Sequence, residues 1–191
     1  YACAAASFFS RVGAVGVIGE DFPELFLQRY RSFGINTAGL QKLPGKTFRW
    51  SGRYDDDFIN RQTLRTDLGV FASFKPDLPT AFRRAPYVLL GNIAPTLQEH
   101  VLAQIEGASF VVADTMDLWI NIERAALERI IARVNMLMLN DSEARLLTGC
   151  HNLKMCAAKI LQMGPQYVVI KKGEHGAHLF SAAGIAFIPA Y

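Results

Sequence analysis

The stretch VNMLMLNDSE, residues 134–143, decides the fold class, because an apolar strand stops abruptly at polar residues that can open a helix. A second stretch, YVVIKKGEHGA at residues 167–177, stops in the same way at charged residues and glycines. Open α/β sheets place their ligand chemistry at the carboxyl ends of strands. The two stretches therefore predict an α/β protein with a ligand-binding edge.

Strands and helices alternate over most of the chain. Strands predicted at 87–90, 110–113, 134–139 and 168–170 are separated by helices predicted at 95–105, 121–133, 142–148 and 153–162. Such alternation is typical of right-handed parallel βαβ units. It predicts a mostly parallel central sheet.

Residues 35–72 depart from this pattern. Short strands, one of them at 68–71, surround a turn at Pro44-Gly45 and a polar stretch at 55–60. We predict a small β-rich insertion at 35–72, carried by a core formed from residues 1–34 and 73–191.

Composition limits the function. The 191 residues are 51% apolar and carry a net charge of +3, with scattered basic residues, which does not favour nucleic acid. No apolar run approaches the roughly 20 residues that a membrane span requires. Three cysteines without paired spacing indicate a reducing compartment, so we expect a cytoplasmic protein.

Several polar residues lie just past predicted strands on one edge: Asn92, Asp114, Asn140 and Glu143. Asn140 and Glu143 could simply form a capping box at a helix start. Alternatively, the helix N-terminus attracts phosphate and the carboxylate holds Mg²⁺ through water.

Two glycines, Gly173 and Gly176, follow the strand at 168–170. They could form only a hairpin turn, or they could let the backbone approach an adenine or a phosphate. A dinucleotide-dependent oxidoreductase is suggested only by Gly13, Gly16 and Gly19, two of which fall inside a predicted strand rather than in the following turn.

The chain resembles the ribokinase-like, or PfkB, family of carbohydrate and nucleoside kinases along nearly its whole length. The resemblance implies a three-layer ribokinase-like fold with a mostly parallel central sheet and a small β-lid, incomplete in this chain. The matching segments are RVGAVGVIGEDF (11–22), TFRWSGRYDDDFINRQT of the lid (47–63), YVLLGNIAP (87–95), LNDSEARLLTG (139–149) and VVIKKGEHGAHLFS (168–181).

That resemblance implies ATP-dependent phosphorylation of a sugar or nucleoside hydroxymethyl group. ATP and Mg²⁺ are the implied cofactors, and Glu143 is the implied metal residue. Many family members carry Thr where this chain has Lys171. The implied nucleotide-site residues are Asn140, Glu143, Lys171, Gly173 and Gly176, and the implied acceptor residues are Asn92, Arg53 and Asp114.

Two family motifs are absent from residues 1–191: the Gly-Gly sugar-binding pair and the Gly-Ala-Gly-Asp segment that supplies the general base. We therefore expect a chain truncated at both ends that turns over essentially nothing by itself. The alternative is a non-catalytic scaffold with the same fold. In either case exposed lid strands are natural pairing surfaces, which suggests a homodimer through the lid.

Overall fold

The structure is a computed structural model that describes residues 1–55 and 61–190. It contains two compact units, Tyr1–Phe82 and Arg83–Tyr191. None of the helices in the described part of the chain has the length and the hydropathy of a membrane span.

The first unit holds two small sheets. Strand β1 pairs in parallel with β2, and β3 pairs with β4 in an antiparallel hairpin. The sequence groups β2 with the lid insertion, whereas its pairing partner is β1; the lid boundaries stay a prediction. The elements are α1 (Ala2–Ser7), β1 (Gly13–Ile18), α2 (Glu24–Ser32), β2 (Asn36–Lys42), β3 (Arg49–Tyr54), β4 (Arg61–Asp67) and α3 (Thr80–Arg83), which crosses the unit boundary.

The strand predicted at 68–71 is wrong. A 3-10 helix, Gly69–Ser73, occupies this segment. Gly69 has a φ of 51°, and a Cβ there would lie 2.0 Å from the Lys46 carbonyl oxygen, so the chain turns tightly against its neighbour. β4 was missed because its polar sequence, RQTLRTD, lacks apolar alternation. Most of the predicted polar stretch at 55–60 lies outside the described residues.

The carboxylate of Asp21 joins the turn after β1 to the segment that leads into β3. Asp21 accepts hydrogen bonds from the Thr47 backbone N–H (2.7 Å), the Thr47 hydroxyl (2.8 Å) and the Arg49 guanidinium (2.9 Å). The Thr47 hydroxyl in turn accepts a bond from Gly19 N (2.9 Å). Three donors on one carboxylate fix this turn.

The second unit contains the sheet with the order β10-β9-β8-β7-β6-β5. Strands β5 to β8 run parallel to one another. At one side of the sheet β9 pairs antiparallel with β8, and β10 pairs antiparallel with β9. The elements are β5 (Tyr87–Leu90), α4 (Pro95–Leu102), β6 (Phe110–Asp114), α5 (Asp117–Ile122), α6 (Arg124–Ile131), β7 (Met136–Asn140), α7 (Asp141–Thr148), α8 (Leu153–Gln162), β8 (Tyr167–Lys171), a 3-10 helix (Gly173–His175), β9 (Ala177–Ser181) and β10 (Gly184–Ile188).

Alternate residues of the central strands form the core of this unit. Leu137 and Leu139 of β7 and Val168 and Ile170 of β8 are fully buried, α8 packs against β8, and both α6 and α8 contribute fully buried residues. The mostly parallel sheet predicted from the sequence is confirmed. The single helix predicted at 121–133 is wrong: α5 and α6 are separated at Glu123, whose ψ of 37° lies outside the helical range.

Candidate functional site

Four of the predicted site residues lie along one edge of the second unit's sheet. Asp114, Asn140 and Lys171 are the last residues of β6, β7 and β8, and Asn140 stands opposite Lys171 in register. Asn92 follows β5 by two residues. Because parallel strands place their carboxyl ends at one edge, strand ends separated by up to 79 positions in sequence meet there.

Asn140 and Glu143 form the capping box of α7. The Asn140 side chain accepts a bond from Glu143 N (2.8 Å), and Glu143 Oε2 accepts one from Asn140 N (2.6 Å). The capping interpretation of this motif is therefore confirmed. It does not exclude a ligand role, because a carboxylate has more acceptor positions than the one bond uses.

Lys171 and Asp114 form an ion pair across the end of β7. The ammonium nitrogen of Lys171 lies 3.0 Å from Asp114 Oδ1, and both side chains are partly exposed. This pair holds one positive and one negative group beside the capping box. Both groups are accessible to a charged ligand.

Glu143 is only 8% exposed, and its surroundings are electrostatically mixed. Burial raises the pKa of its carboxyl group, while the Asn140 N–H bond and the Lys171 charge lower it and the charges of Asp114 and Asp117 raise it. A cation bound nearby would favour the ionised form of Glu143.

The side chains at this edge fit a Mg²⁺ ion bound by few protein ligands better than a metal ion enclosed by several protein side chains. Among the described residues no group of three or more His, Cys, Asp and Glu side chains could hold a metal ion. Mg²⁺ commonly keeps several waters and binds through one or two carboxylates together with substrate phosphates. Glu143, at a partly accessible edge, fits that mode.

The two predicted nucleotide glycines differ in their surroundings. Both have positive φ, 55° for Gly173 and 78° for Gly176. A Cβ on Gly173 would meet nothing within 4 Å, whereas a Cβ on Gly176 would lie 2.0 Å from the Ile188 carbonyl oxygen. The close approach of β10 explains why Gly176 is glycine, and Gly173 leaves its backbone open. The assignment of both to the nucleotide stays a prediction.

Asn92 is bound by the segment that follows β6. Its Oδ1 accepts a bond from Trp119 Nε1 (2.8 Å), and its Nδ2 contacts the sulfur of Met116 at 3.1 Å. Trp119, on α5, was missed, because no sequence signal links it to a residue 27 positions away. Gln98 was also missed, although it lies three residues from both Pro95 and Val101 on the buried face of α4.

Arg53, the remaining predicted acceptor residue, belongs to the first unit. It lies on β3, opposite Gln62 in register, and is exposed. Its contact with an acceptor stays a prediction.

Taken together, these observations define an α/β protein with a mostly parallel sheet, whose carboxyl edge carries a buried carboxylate, an ion pair and a glycine with an open backbone. The chain belongs to the pfkB family of carbohydrate kinases, whose family model matches residues 1–191.

Individual relatives agree with this assignment. Cytidine kinase from Thermococcus kodakarensis is 28% identical over 186 residues, which cover 95% of this chain and 66% of that protein. Similar solved structures are a candidate ribokinase II from E. coli in complex with ATP and Mg²⁺ (TM-score 0.80, 16% identity, 100% of this chain and 66% of that one) and a Burkholderia thailandensis nucleoside kinase in complex with inosine (TM-score 0.78, 20% identity, 99% and 61%).

The ribokinase-like fold predicted from the sequence is confirmed by these structures. The chain spans just under two thirds of the length of the curated relative that it matches.

Proposed function

We propose that the protein transfers a phosphoryl group from ATP to the hydroxymethyl group of a sugar or nucleoside. Family membership supports a carbohydrate or nucleoside acceptor. The observation that carries the proposal is the edge where the Lys171–Asp114 pair, 3.0 Å apart, lies beside the buried carboxylate of Glu143. Catalysis of phosphoryl transfer depends more on positioning the reactants and stabilising their charges than on covalent chemistry.

The nucleotide half of the site consists of Asn140, Glu143, Lys171, Gly173 and Gly176. Lys171 supplies an ammonium to phosphate oxygens, and the open backbone of Gly173 lets the nucleotide approach closely. Glu143 is the residue that would help to hold Mg²⁺. Mg²⁺, when bound, neutralises charge on the phosphates.

The acceptor half consists of Asn92, Asp114 and Arg53. Amide, carboxylate and guanidinium groups supply the donors and acceptors that sugar hydroxyls require. The family resemblance assigns residues 35–72 to a lid, and closure of such a lid would exclude water, which would otherwise take the phosphoryl group. The exposed strands of the lid also provide the surface for a homodimer.

Nucleosides are the first acceptors to test, since one relative is a cytidine kinase and one neighbour is a nucleoside kinase bound to inosine. We assign the general base to no residue of 1–191, because these residues lack the Gly-Ala-Gly-Asp sequence to which the family resemblance assigns that role. Residues 1–191 alone are therefore expected to turn over essentially nothing.

The test compares two lysine variants of the protein expressed from its complete reading frame. Lys171→Met removes the ammonium at the edge, and Lys154→Met removes an exposed ammonium on α8 as a matched control. With cytidine, inosine or ribose as acceptor, Lys171→Met is expected to raise the KM for ATP at least about tenfold, the effect of losing a charged hydrogen bond. Lys154→Met should match the wild type. Equal kinetics for both variants would reject the role of Lys171.

A further inference from the structure

Gln98 is a buried polar residue that the proposed function does not yet use. It lies on α4 and is 1% exposed, on the same helix face as the buried residues Pro95 and Val101. Burying an amide is unfavourable unless its hydrogen bonds are made inside the protein. The bonds that Gln98 makes therefore indicate why this position is polar.

The Gln98 amide nitrogen donates to two backbone carbonyl oxygens, one just past the end of β5 and one at the end of β6. It lies 2.8 Å from the oxygen of Gly91 and 3.0 Å from the oxygen of Asp114. The β5–β6 register ends at the pair Leu90–Ala113, so Gly91 and Asp114 are the next residues of the two paired segments. The side chain thus joins the two segments where the backbone pairing stops.

The other end of the Gln98 amide is unsatisfied. Within the described residues Gln98 Oε1 is buried and has no hydrogen-bond partner. An unsatisfied buried acceptor lowers stability, and an apolar side chain of the same volume would avoid that cost. The benefit of a glutamine here lies in its two donated bonds.

Those bonds hold the two segments that carry the acceptor half of the proposed site. Asp114 is bonded directly, and Asn92 follows Gly91 in the chain. The side chain of Asn92 is held separately, by the hydrogen bond from Trp119. Separation of Gly91 from Asp114 would therefore move Asn92 relative to Asp114.

We propose that Gln98 is a positioning residue, which sets the spacing of Asn92 and Asp114 for the acceptor without touching it. This inference rests on the proposed function. Reaction rates and affinities depend steeply on such spacing, because a shift of about 1 Å can cost on the order of a hundredfold.

The test uses Gln98→Met, which keeps the volume and removes both donated bonds. Two controls are available: Gln104→Met makes the same change just past the end of α4, and Val101→Ala weakens the α4 packing without touching either carbonyl. In the full-length protein, Gln98→Met should raise the KM for the best acceptor among cytidine, inosine and ribose about tenfold and leave the KM for ATP unchanged. Neither control should change the ratio of the two KM values.

Backbone hydrogen exchange supplies a readout that does not depend on activity. Gln98→Met should accelerate exchange at residues 91–93 and 114–116 more than in the rest of the second unit. Val101→Ala should not show that localisation. If Gln98→Met fails to fold, Gln98→Asn, whose shorter amide cannot span both carbonyls, takes its place in both measurements.

Equal changes in both KM values, or exchange unaltered at the two segments, would overturn the positioning role. If instead the wild type phosphorylates no acceptor, the proposed function fails and the acceptor role of Gln98 fails with it. Localised exchange in Gln98→Met would then show that the bond between the segments exists without that role, which separates the two failures.

Discussion

Asp21 and Glu143 are both carboxylates just beyond a strand end, yet their surroundings shift their pKa values in opposite directions. Asp21, after β1, accepts bonds chiefly from Thr47 and also from Arg49, and these lower its pKa. Glu143, after β7, is 8% exposed, and burial raises its pKa above the ordinary value.

The difference separates a structural carboxylate from a candidate functional one. The carboxylate of Asp21 accepts hydrogen bonds from neighbouring protein groups, and these bonds fix a turn. Glu143 keeps a carboxylate in an unfavourable buried position next to the charges of Lys171 and Asp114. Carboxylates with such perturbed pKa values are concentrated at functional sites.

The largest expected effect concerns Mg²⁺. Glu143→Gln keeps a capping-box acceptor but removes the charge, so the Mg²⁺ concentration for half-maximal turnover should rise roughly 10- to 100-fold. Asp21→Asn is the matched control and should leave it unchanged. The measurement is initial rate against Mg²⁺ concentration at saturating ATP. An unchanged requirement in Glu143→Gln would remove the metal role and with it the contrast between the two carboxylates.

A smaller effect is expected from two arginines of β3. Arg53→Ala should raise the KM for the acceptor about tenfold and leave the KM for ATP unchanged, because a charged hydrogen bond to the acceptor is lost. Arg49→Ala, which removes a partner of Asp21, should lower thermal stability without changing the acceptor KM. Steady-state kinetics and thermal unfolding of both variants test this. Equal effects of Arg53→Ala on the two KM values would reject the lid assignment.

The smallest expected effect is on the pH dependence of stability. A raised folded-state pKa means that the Glu143 contribution is greatest below its ordinary value of 4.5 and is lost as the pH rises through the folded pKa. Asp21, with a lowered pKa, contributes above its ordinary value of 3.8, and that contribution is lost as the pH falls through the folded pKa.

Thermal unfolding measured from about pH 3 to about pH 8 separates the contribution of Glu143 from that of Asp21. The acid limit lies roughly one unit below the ordinary pKa values of the two carboxylates. Glu143→Gln should remove the loss of stability that accompanies a rise in pH through the folded pKa of Glu143. Asp21→Asn should remove part of the loss that accompanies a fall in pH through the folded pKa of Asp21. The same profile in both variants would contradict the opposite pKa shifts.

The sequence predicts the second unit well because its strands are buried on a regular pattern. The strands β7 and β8, whose burial alternates, are visible as apolar runs, and the start of α7 is visible as the capping sequence at Asn140. The first unit is harder to predict. Its hairpin is exposed along most of the described residues of both strands, which leaves little apolar pattern in the sequence. The tight turn at Gly69 depends on the backbone of Lys46, far away in the sequence.

The candidate site also has a part that the sequence predicts and a part that it does not. Strand ends predict that Asn92, Asp114 and Asn140 share one edge, since sheet geometry alone brings them together. Lys171 was expected at the site only from the family resemblance. Contacts between them depend on side-chain geometry in three dimensions. The Lys171–Asp114 pair, 57 positions apart, and the bonds of Gln98 therefore could not be predicted.

Kinase activity is tested most simply by mass-spectrometric detection of product after the full-length protein is incubated with ATP, Mg²⁺ and cytidine, inosine or ribose. We expect ATP- and Mg²⁺-dependent addition of one phosphoryl group to a hydroxymethyl oxygen of at least one acceptor, and loss of this product in Lys171→Met at low ATP. A well-folded full-length protein that phosphorylates none of a broad sugar and nucleoside panel would contradict this expectation and would favour the non-catalytic scaffold.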